Sequence, residues 1–211
     1  MIANFRFALD KPTLILGAGI ASSGKSTVFR PIAAALFDSV YVEKDLINDA
    51  FLWMPKSGER RDMSRYLVSE RISNQSPIYR DHIWLQSYHC MLMLARQALE
   101  LGKHPILEGN YVKEIRWGYI EKVLLPQLAG INYKLKILLA HAPADLIRER
   151  IIKRDEGRDK KVISSDEEWQ RLLAEQPPIP PEIEKYPHMK IDTSEALSLQ
   201  ALFEIMRFLA D

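Results

Sequence analysis

Short apolar runs punctuate the chain, each followed by a polar or glycine-containing stretch. Thr13–Ala18 (TLILGA), Ser39–Glu43 (SVYVE), His104–Gly109 (HPILEG), Tyr133–Ala140 (YKLKILLA) and His188–Asp192 (HMKID) are short and bounded by turn residues, so each predicts a strand. Between them the apolar positions recur at helical spacing. Helices are expected over Lys25–Phe37, Asp45–Trp53, Lys113–Leu124, Ala144–Arg154 and Glu195–Leu209. A longer helical region covers Asp62–Leu101, with a break near Asn74–Pro77. Pro31 falls early enough in its helix to be tolerated. Gln176–Pro181 (QPPIPP) reads as a stiff loop, because each proline fixes φ and removes a donor. Strands that alternate with helices argue for a parallel sheet covered on both faces. Ligands of such sheets bind beyond the carboxyl ends of the strands. The loops after four of these strands therefore share one edge.

Composition narrows the class. A chain of 211 residues fits one domain. The 29 basic and 28 acidic side chains nearly cancel, and no basic block appears, so a broad nucleic-acid surface is not favoured. Cys90 is the lone cysteine, so a disulfide within the chain is excluded; a buried structural thiol in a reducing compartment is expected. The amino-terminal residues lack the pattern of a signal peptide, and no apolar stretch approaches the roughly 20 residues of a membrane span. A cytoplasmic protein without membrane contact is the expectation. Oligomeric state is not legible.

The stretch after the first run carries the chemistry. Gly19, Gly24, Lys25 and Ser26 satisfy the spacing G-x-x-x-x-G-K-[ST] within GIASSGKST. Glycines permit backbone conformations and close approaches that a Cβ blocks. The amides of the loop, which also contains Ser22 and Ser23, form an anion nest, and the following helix presents free N–H groups. Lys25 reaches β- and γ-phosphates, Ser26 ligates magnesium, and Thr27 donates to a nearer phosphate. A strand before the loop and a helix after it are the context the motif requires. Further on, Arg150 and Arg154 are four apart and share a helix face, and Arg158 follows Gly157. A solvated charged helix is the alternative for this segment.

On the loop motif, the chain resembles P-loop kinases of small molecules, the group that includes chloramphenicol phosphotransferase, zeta-toxin-like kinases and AAA_33-type ATP-binding kinases. The resemblance runs over roughly Thr13–Leu209. It implies a P-loop NTPase three-layer sandwich: a five-stranded parallel sheet, helices on both faces and a small lid. It also implies ATP and Mg²⁺. Asp45, after the second strand, would bind the acceptor hydroxyl or take its proton; the alternative is a helix N-cap. Glu108 sits at the Walker-B position, where relatives more often carry Asp, and would hold the metal with Ser26; an ordinary strand-end carboxylate is the alternative. Arg150 would stack on adenine, while Arg154 and Arg158 approach phosphates from a lid. Asp192 and Thr193 resemble the loop beside adenine, or simply cap the last helix. The absence of N-K-x-D favours ATP over GTP.

The expected organisation is one kinase domain over residues 1–211, with a lid near 155–181 and an acceptor-binding helical region near 53–86. In that region Arg60, Arg61, Arg65, Arg71, Arg80 and His82 accompany Tyr66, Tyr79 and Trp84, a mix able to grip an anionic acceptor. Asn110 and Tyr111 are further candidates for the acceptor side. The expected activity is transfer of the ATP γ-phosphoryl group to a hydroxyl of a small molecule. The alternatives are phosphorylation of a polynucleotide 5′-hydroxyl and an ATP-binding switch without acceptor.

Overall fold

The computed structural model describes residues 6–55, 63, 68–154 and 164–211. Its main sheet is built from β1 (Thr13–Ala18), β2 (Ser39–Glu43), β5 (His104–Glu108), β6 (Lys134–His141) and β7 (His188–Asp192), in the spatial order β2-β5-β1-β6-β7. Each neighbouring pair in this sheet is parallel. The α/β fold with helices on both faces is therefore the one expected from the alternation of strands and helices.

Side-chain alternation along the central strands assigns the two faces. In β1, Leu14, Leu16 and Ala18 point to one core while Ile15 points to the other. In β6, Ile137 and Leu139 join the first core, and Leu138 and Ala140 the second. The first core is closed by α3 (Trp84–Glu100), α4 (Val112–Arg116), α6 (Ala144–Arg154) and α7 (Asp166–Glu175), through residues such as Met91, Ile115, Ile147 and Trp169. The second is closed by α1 (Lys25–Ala35) and α8 (Leu199–Ala210). β1 is buried at all six positions, which is why it reads as a continuous apolar run rather than an alternating one.

Some boundaries differ from the sequence expectations. The helical region placed over Asp62–Leu101 is not helical throughout. Val68–Arg71 is a strand, β4, antiparallel to β3 (Trp53–Pro55). Its structure comes from a partner outside its own stretch, to which local periodicity is blind. The expected break holds: Ser76 accepts the Tyr79 N–H at 3.1 Å, a π-helical turn spans Tyr79–Ile83, and α3 follows. α2 covers Lys44–Leu52, so Trp53 leaves the helix for β3. The helix placed over Lys113–Leu124 is interrupted at Gly118, whose φ is +77°; after α4, the chain continues as a π-helical turn at Ile120–Leu124 and a short α5 (Leu125–Gln127). α8 starts at Leu199, not Glu195, because Ser198 caps it by accepting the Ala201 N–H at 3.1 Å. Cys90 is half-buried rather than fully enclosed. Among the described residues no helix is long and apolar enough to cross a membrane.

One packing contact ties the phosphate-loop helix to the sheet. A Cβ at Gly17 would lie 2.8 Å from the Phe29 ring, so this ring of α1 lies directly on the β1 backbone. Phe29 is fully buried. Phe29→Ala is expected to lower unfolding stability by about 3–5 kcal/mol. Urea denaturation measures it.

Candidate active site

The parallel sheet brings the carboxyl ends of its strands to one edge, and a cavity of about 790 Å³ opens there. Its first half is the phosphate loop. Gly19 has φ +151°, and a Cβ there would meet the Ala140 carbonyl oxygen at 2.5 Å. Gly24 has φ +83° and directly precedes α1; a Cβ there would meet Thr193 at 2.8 Å. Both positions thus need glycine for conformation and for space. The Gly19 N–H donates to the Asn110 carbonyl at 2.9 Å, and the Lys25 ammonium donates to the Ile20 carbonyl at 2.8 Å. The Thr193 hydroxyl lies 2.8 Å from the Ser23 carbonyl, bridging the loop to the end of β7. Arg150 donates to the Thr193 hydroxyl at 3.1 Å and to its carbonyl at 2.6 Å. The cradle, with no room for a Cβ at Gly19 or Gly24, fits a polyphosphate.

Glu108 ends β5 at the floor of the cavity and is 4% exposed. Its Oε1 accepts the Ser26 hydroxyl at 2.7 Å, and its Oε2 accepts the Tyr41 hydroxyl. Burial, followed by the neighbouring Glu108 carboxylate, raises the Tyr41 pKa, so this phenol stays a donor. Ser26 and Glu108 together offer the hard oxygen donors that magnesium prefers, so they fit that ion. Among the described residues no group of three or more His, Cys, Asp or Glu side chains converges.

The second half of the cavity lies beyond Glu108. Asp45, exposed in the first turn of α2, lines it with Asn48, Tyr79, Trp84 and Asn110. Glu43, rather than Asp45, occupies the N-cap position of α2, so the capping alternative for Asp45 does not hold. Lys44 also lines the cavity but is 6% exposed. Its ammonium sits 4.5 Å from the Tyr88 ring centroid and 3.3 Å from the Asn48 side-chain oxygen. Burial pushes it down to about 8, against the opposing pull of Asp45 and Glu114. Glu114 is 7% exposed and lines the same cavity, with its Oε2 enclosed. After burial, the charge of Glu114 and a side-chain hydrogen bond with it hold the Tyr88 phenol well above its usual pKa.

Of the sequence candidates, Ser22, Gly24, Lys25, Ser26, Thr27, Asp45, Glu108, Arg150, Arg154 and Thr193 line this one cavity. Gly19 and Ser23 shape the loop from behind. Asp192 does not line it: its carboxylate accepts from the Ser194 N–H (2.8 Å) and hydroxyl (2.6 Å), which hold it below the usual carboxylate range. Arg158 lies outside the described residues, as do Arg60, Arg61, Arg65 and Tyr66. Arg71 pairs with Asp49 at 2.8 Å, and Arg80 and His82 are exposed away from the cavity. Tyr111 does not face the cavity. It is buried beneath it, 5.1 Å from the Tyr88 ring centroid and 6.0 Å from that of Tyr119. Lys44, Asn48, Tyr88 and Glu114 escaped the sequence reading. The only signal for them was spacing, since Lys44 and Asn48, like Trp84 and Tyr88, are four apart on a helix.

The family described as an AAA domain, AAA_33, matches residues 14–179. In structure, the chain is similar to a provisionally assigned kinase from Chloroflexus aurantiacus, with a TM-score of 0.63 at 17% identity over 96% of this chain and 100% of that one. It is more loosely similar to a tunicamycin resistance protein from Deinococcus radiodurans (TM-score 0.46, 14% identity, 93% and 94% of the two chains). It is as loosely similar to the PezAT chromosomal toxin-antitoxin system of Streptococcus pneumoniae (TM-score 0.46, 14% identity, 100% and 81%). These likenesses concern the fold alone. No curated protein matches the chain in sequence. The family match and the fold agree with the P-loop kinase group that the loop motif resembles.

The buried lysine gives a signed pH prediction. The Lys44 pKa is lowered on folding, so the unfolded chain binds the extra proton between about pH 8 and the usual lysine range. The burial cost is thus fully present below about pH 8 and fades as the pH rises through that window. Lys44→Met is expected to be more stable than the parent at pH 7, by up to about 3 kcal/mol, with most of the difference gone by pH 10. Denaturant titrations of both chains at the two pH values test this.

Proposed function

We propose that this chain, which belongs to the AAA_33 family of AAA domains, is an ATP-dependent phosphotransferase acting on a hydroxyl of a small molecule. One observation carries the reading: a single cavity runs from the phosphate loop, past Glu108, to a second polar half bearing Asp45. A switch that only binds nucleotide has no need of that second half. The balanced charge of the chain favours a small acceptor over a polynucleotide end.

In this reading the loop amides and Lys25 hold the β- and γ-phosphates, and Thr27 donates to a nearer one. Bound magnesium, held by Ser26 and Glu108, would neutralise phosphate charge. The acceptor oxygen bonds to the γ-phosphorus as the bond from that phosphorus to the β–γ bridging oxygen breaks. Asp45 positions the acceptor hydroxyl and receives its proton, leaving ADP and a phosphomonoester. Arg154 offers positive charge toward the transferring group, where phosphoryl transfer gains most from electrostatics. Arg150, fixed on Thr193, forms the adenine side with that residue. We assign Arg158 to the same charge-stabilising group, and the 155–181 segment to a lid on one kinase domain. The part of it over Asp166–Glu175 is helix α7, anchored by buried Trp169 and by the 2.7 Å Arg148–Asp166 ion pair. The acceptor region near 53–86 contributes Tyr79 and Trp84.

ATP with magnesium is expected to raise the melting temperature, since binding at a hundredfold excess over Kd is worth about 2.7 kcal/mol. Lys25→Ala should remove most of that shift; a parent protein that ATP does not stabilise overturns the reading. Asp45→Asn should keep the ATP-induced shift and lower phosphoryl transfer about 10²-fold. A coupled ADP-release assay over a panel of hydroxylated acceptors reads this. Parental turnover in Asp45→Asn would remove Asp45 from the reaction.

A further inference from the structure

Glu108 is held from a direction that the phosphate-loop motif does not supply. Residues paired across neighbouring parallel strands point to one face of the sheet, and so do residues two apart on one strand. Tyr41 of β2 pairs with Ile106 of β5, and Ile106 belongs to the core closed by α1. Tyr41 packs against that core, and Glu108 stands two residues beyond Ile106. Tyr41, Glu108 and the first turn of α1, which carries Ser26, therefore meet on one face. The step from the level of Ile106 to that of Glu108 is about 6–7 Å along the strand, a span that a tyrosine covers. The Tyr41 hydroxyl reaches the Glu108 Oε2 from within the sheet; Tyr41 itself does not line the cavity.

Both oxygens of the carboxylate are thus engaged. Oε1 accepts the Ser26 hydroxyl at 2.7 Å, and Oε2 accepts the Tyr41 hydroxyl. A third group settles the direction of the second bond. The Arg30 guanidinium pairs with Glu43 at 2.8 Å and has the Tyr41 hydroxyl as a further hydrogen-bond partner. A guanidinium only donates, so the phenol oxygen accepts from Arg30 and its proton is left for Glu108. Pinned at Oε2, the carboxylate cannot pivot to turn both oxygens to one point without breaking that bond. Oε1 is the oxygen left beside Ser26.

The number of carboxylate oxygens on offer bears on which ion fits. Magnesium demands near-ideal octahedral geometry at about 2.0–2.1 Å and keeps several waters. Calcium takes about six to eight oxygens at about 2.3–2.6 Å and accepts a carboxylate through both of its oxygens. We infer that Tyr41 is a positioning residue for the metal: by holding the Glu108 Oε2 it leaves Oε1 as the single oxygen beside Ser26, so that the site prefers magnesium to calcium. This rests on the phosphotransferase reading for the presence of a nucleotide-bound ion beside Ser26. The length of glutamate matters here, because an aspartate, one methylene shorter, withdraws from Tyr41.

The test measures the affinity of the full chain for a non-hydrolysable ATP analogue, by calorimetry, in saturating magnesium, in saturating calcium and with a chelator in place of metal. The parent is expected to bind the magnesium complex about tenfold or more tightly than the calcium complex. In Tyr41→Phe the metal-free affinity should stay within about twofold, while the magnesium complex weakens roughly three- to tenfold, the range for one hydrogen bond, and the calcium complex does not weaken. Glu108→Asp, which also releases the carboxylate from Tyr41, should move the magnesium-to-calcium ratio in the same direction, and it reads the inference even if Tyr41→Phe does not fold. Adding Tyr41→Phe to Glu108→Asp should then change the ratio no further. A parent without preference for magnesium overturns the inference. So does an unchanged ratio in Tyr41→Phe, an equal loss under all three conditions, or a further fall in the double variant. Each of these leaves the phosphotransferase reading standing as long as magnesium strengthens nucleotide binding. A parent that binds no nucleotide under any of the three conditions overturns both.

Discussion

Everything at this site hangs from a strand with no solvent face. β1 is buried at each of its six positions and hydrogen-bonded on both sides, to β5 and to β6. A loop leaving such a strand inherits a fixed origin and direction. The anion nest is therefore built before any anion arrives, so binding need not spend interaction energy on ordering the loop. The same burial sets what can follow. Gly24 lies against Thr193 closely enough that a methyl group would collide. The start of α1 and the end of β7 are consequently placed relative to one another by direct contact.

The floor of the cavity shows how an acid survives there. Glu108 is almost wholly buried, a position that normally penalises a charge. Two hydroxyl donors, one from α1 and one from the edge strand β2, satisfy its two oxygens. The long arm of the glutamate is held from two sides. Tyr41 thus steadies the carboxylate while lying outside the cavity itself. Lys44 illustrates the opposite solution: with an aromatic face and one amide oxygen beside it, its ammonium is only partly compensated and its proton is more loosely held.

The three central strands were legible because burial on two faces leaves a compact apolar run. The partly buried edge strands β2 and β7 were legible as short apolar stretches bounded by turn residues, and the phosphate loop because its chemistry is local. β4 was not, since Val68–Arg71 becomes a strand only by pairing with three residues of β3. α7 was hidden in a stretch that reads as charged and proline-flanked; only Trp169 gave away its buried side. The acceptor half was the least legible part. Lys44, Asn48, Tyr88 and Glu114 arrive from α2, α3 and α4, and each looks in sequence like an ordinary surface or core residue. Lys44 in particular reads as solvated. Its ammonium lies over the Tyr88 ring and beside the Asn48 side-chain oxygen, neighbours brought to it by α3 and by the next turn of α2. Conversely, Tyr111 reads as a cavity residue because it follows Asn110. Its backbone, with φ +51°, turns the ring inward beneath the site.

Asn110 has two commitments. Its carbonyl holds the Gly19 amide at the root of the phosphate loop, while its side-chain amide is bonded to Gln176, just past α7. Arg116 tightens the same junction by donating to the last carbonyls of α7, those of Ala174 and Glu175, at 2.7 Å each. The two halves of the cavity are thus connected mechanically in series, like links sharing one pin. A displacement that pulls on Gln176 loads the residue that anchors Gly19, so the stiffness felt by a phosphate depends in part on a wall it never touches.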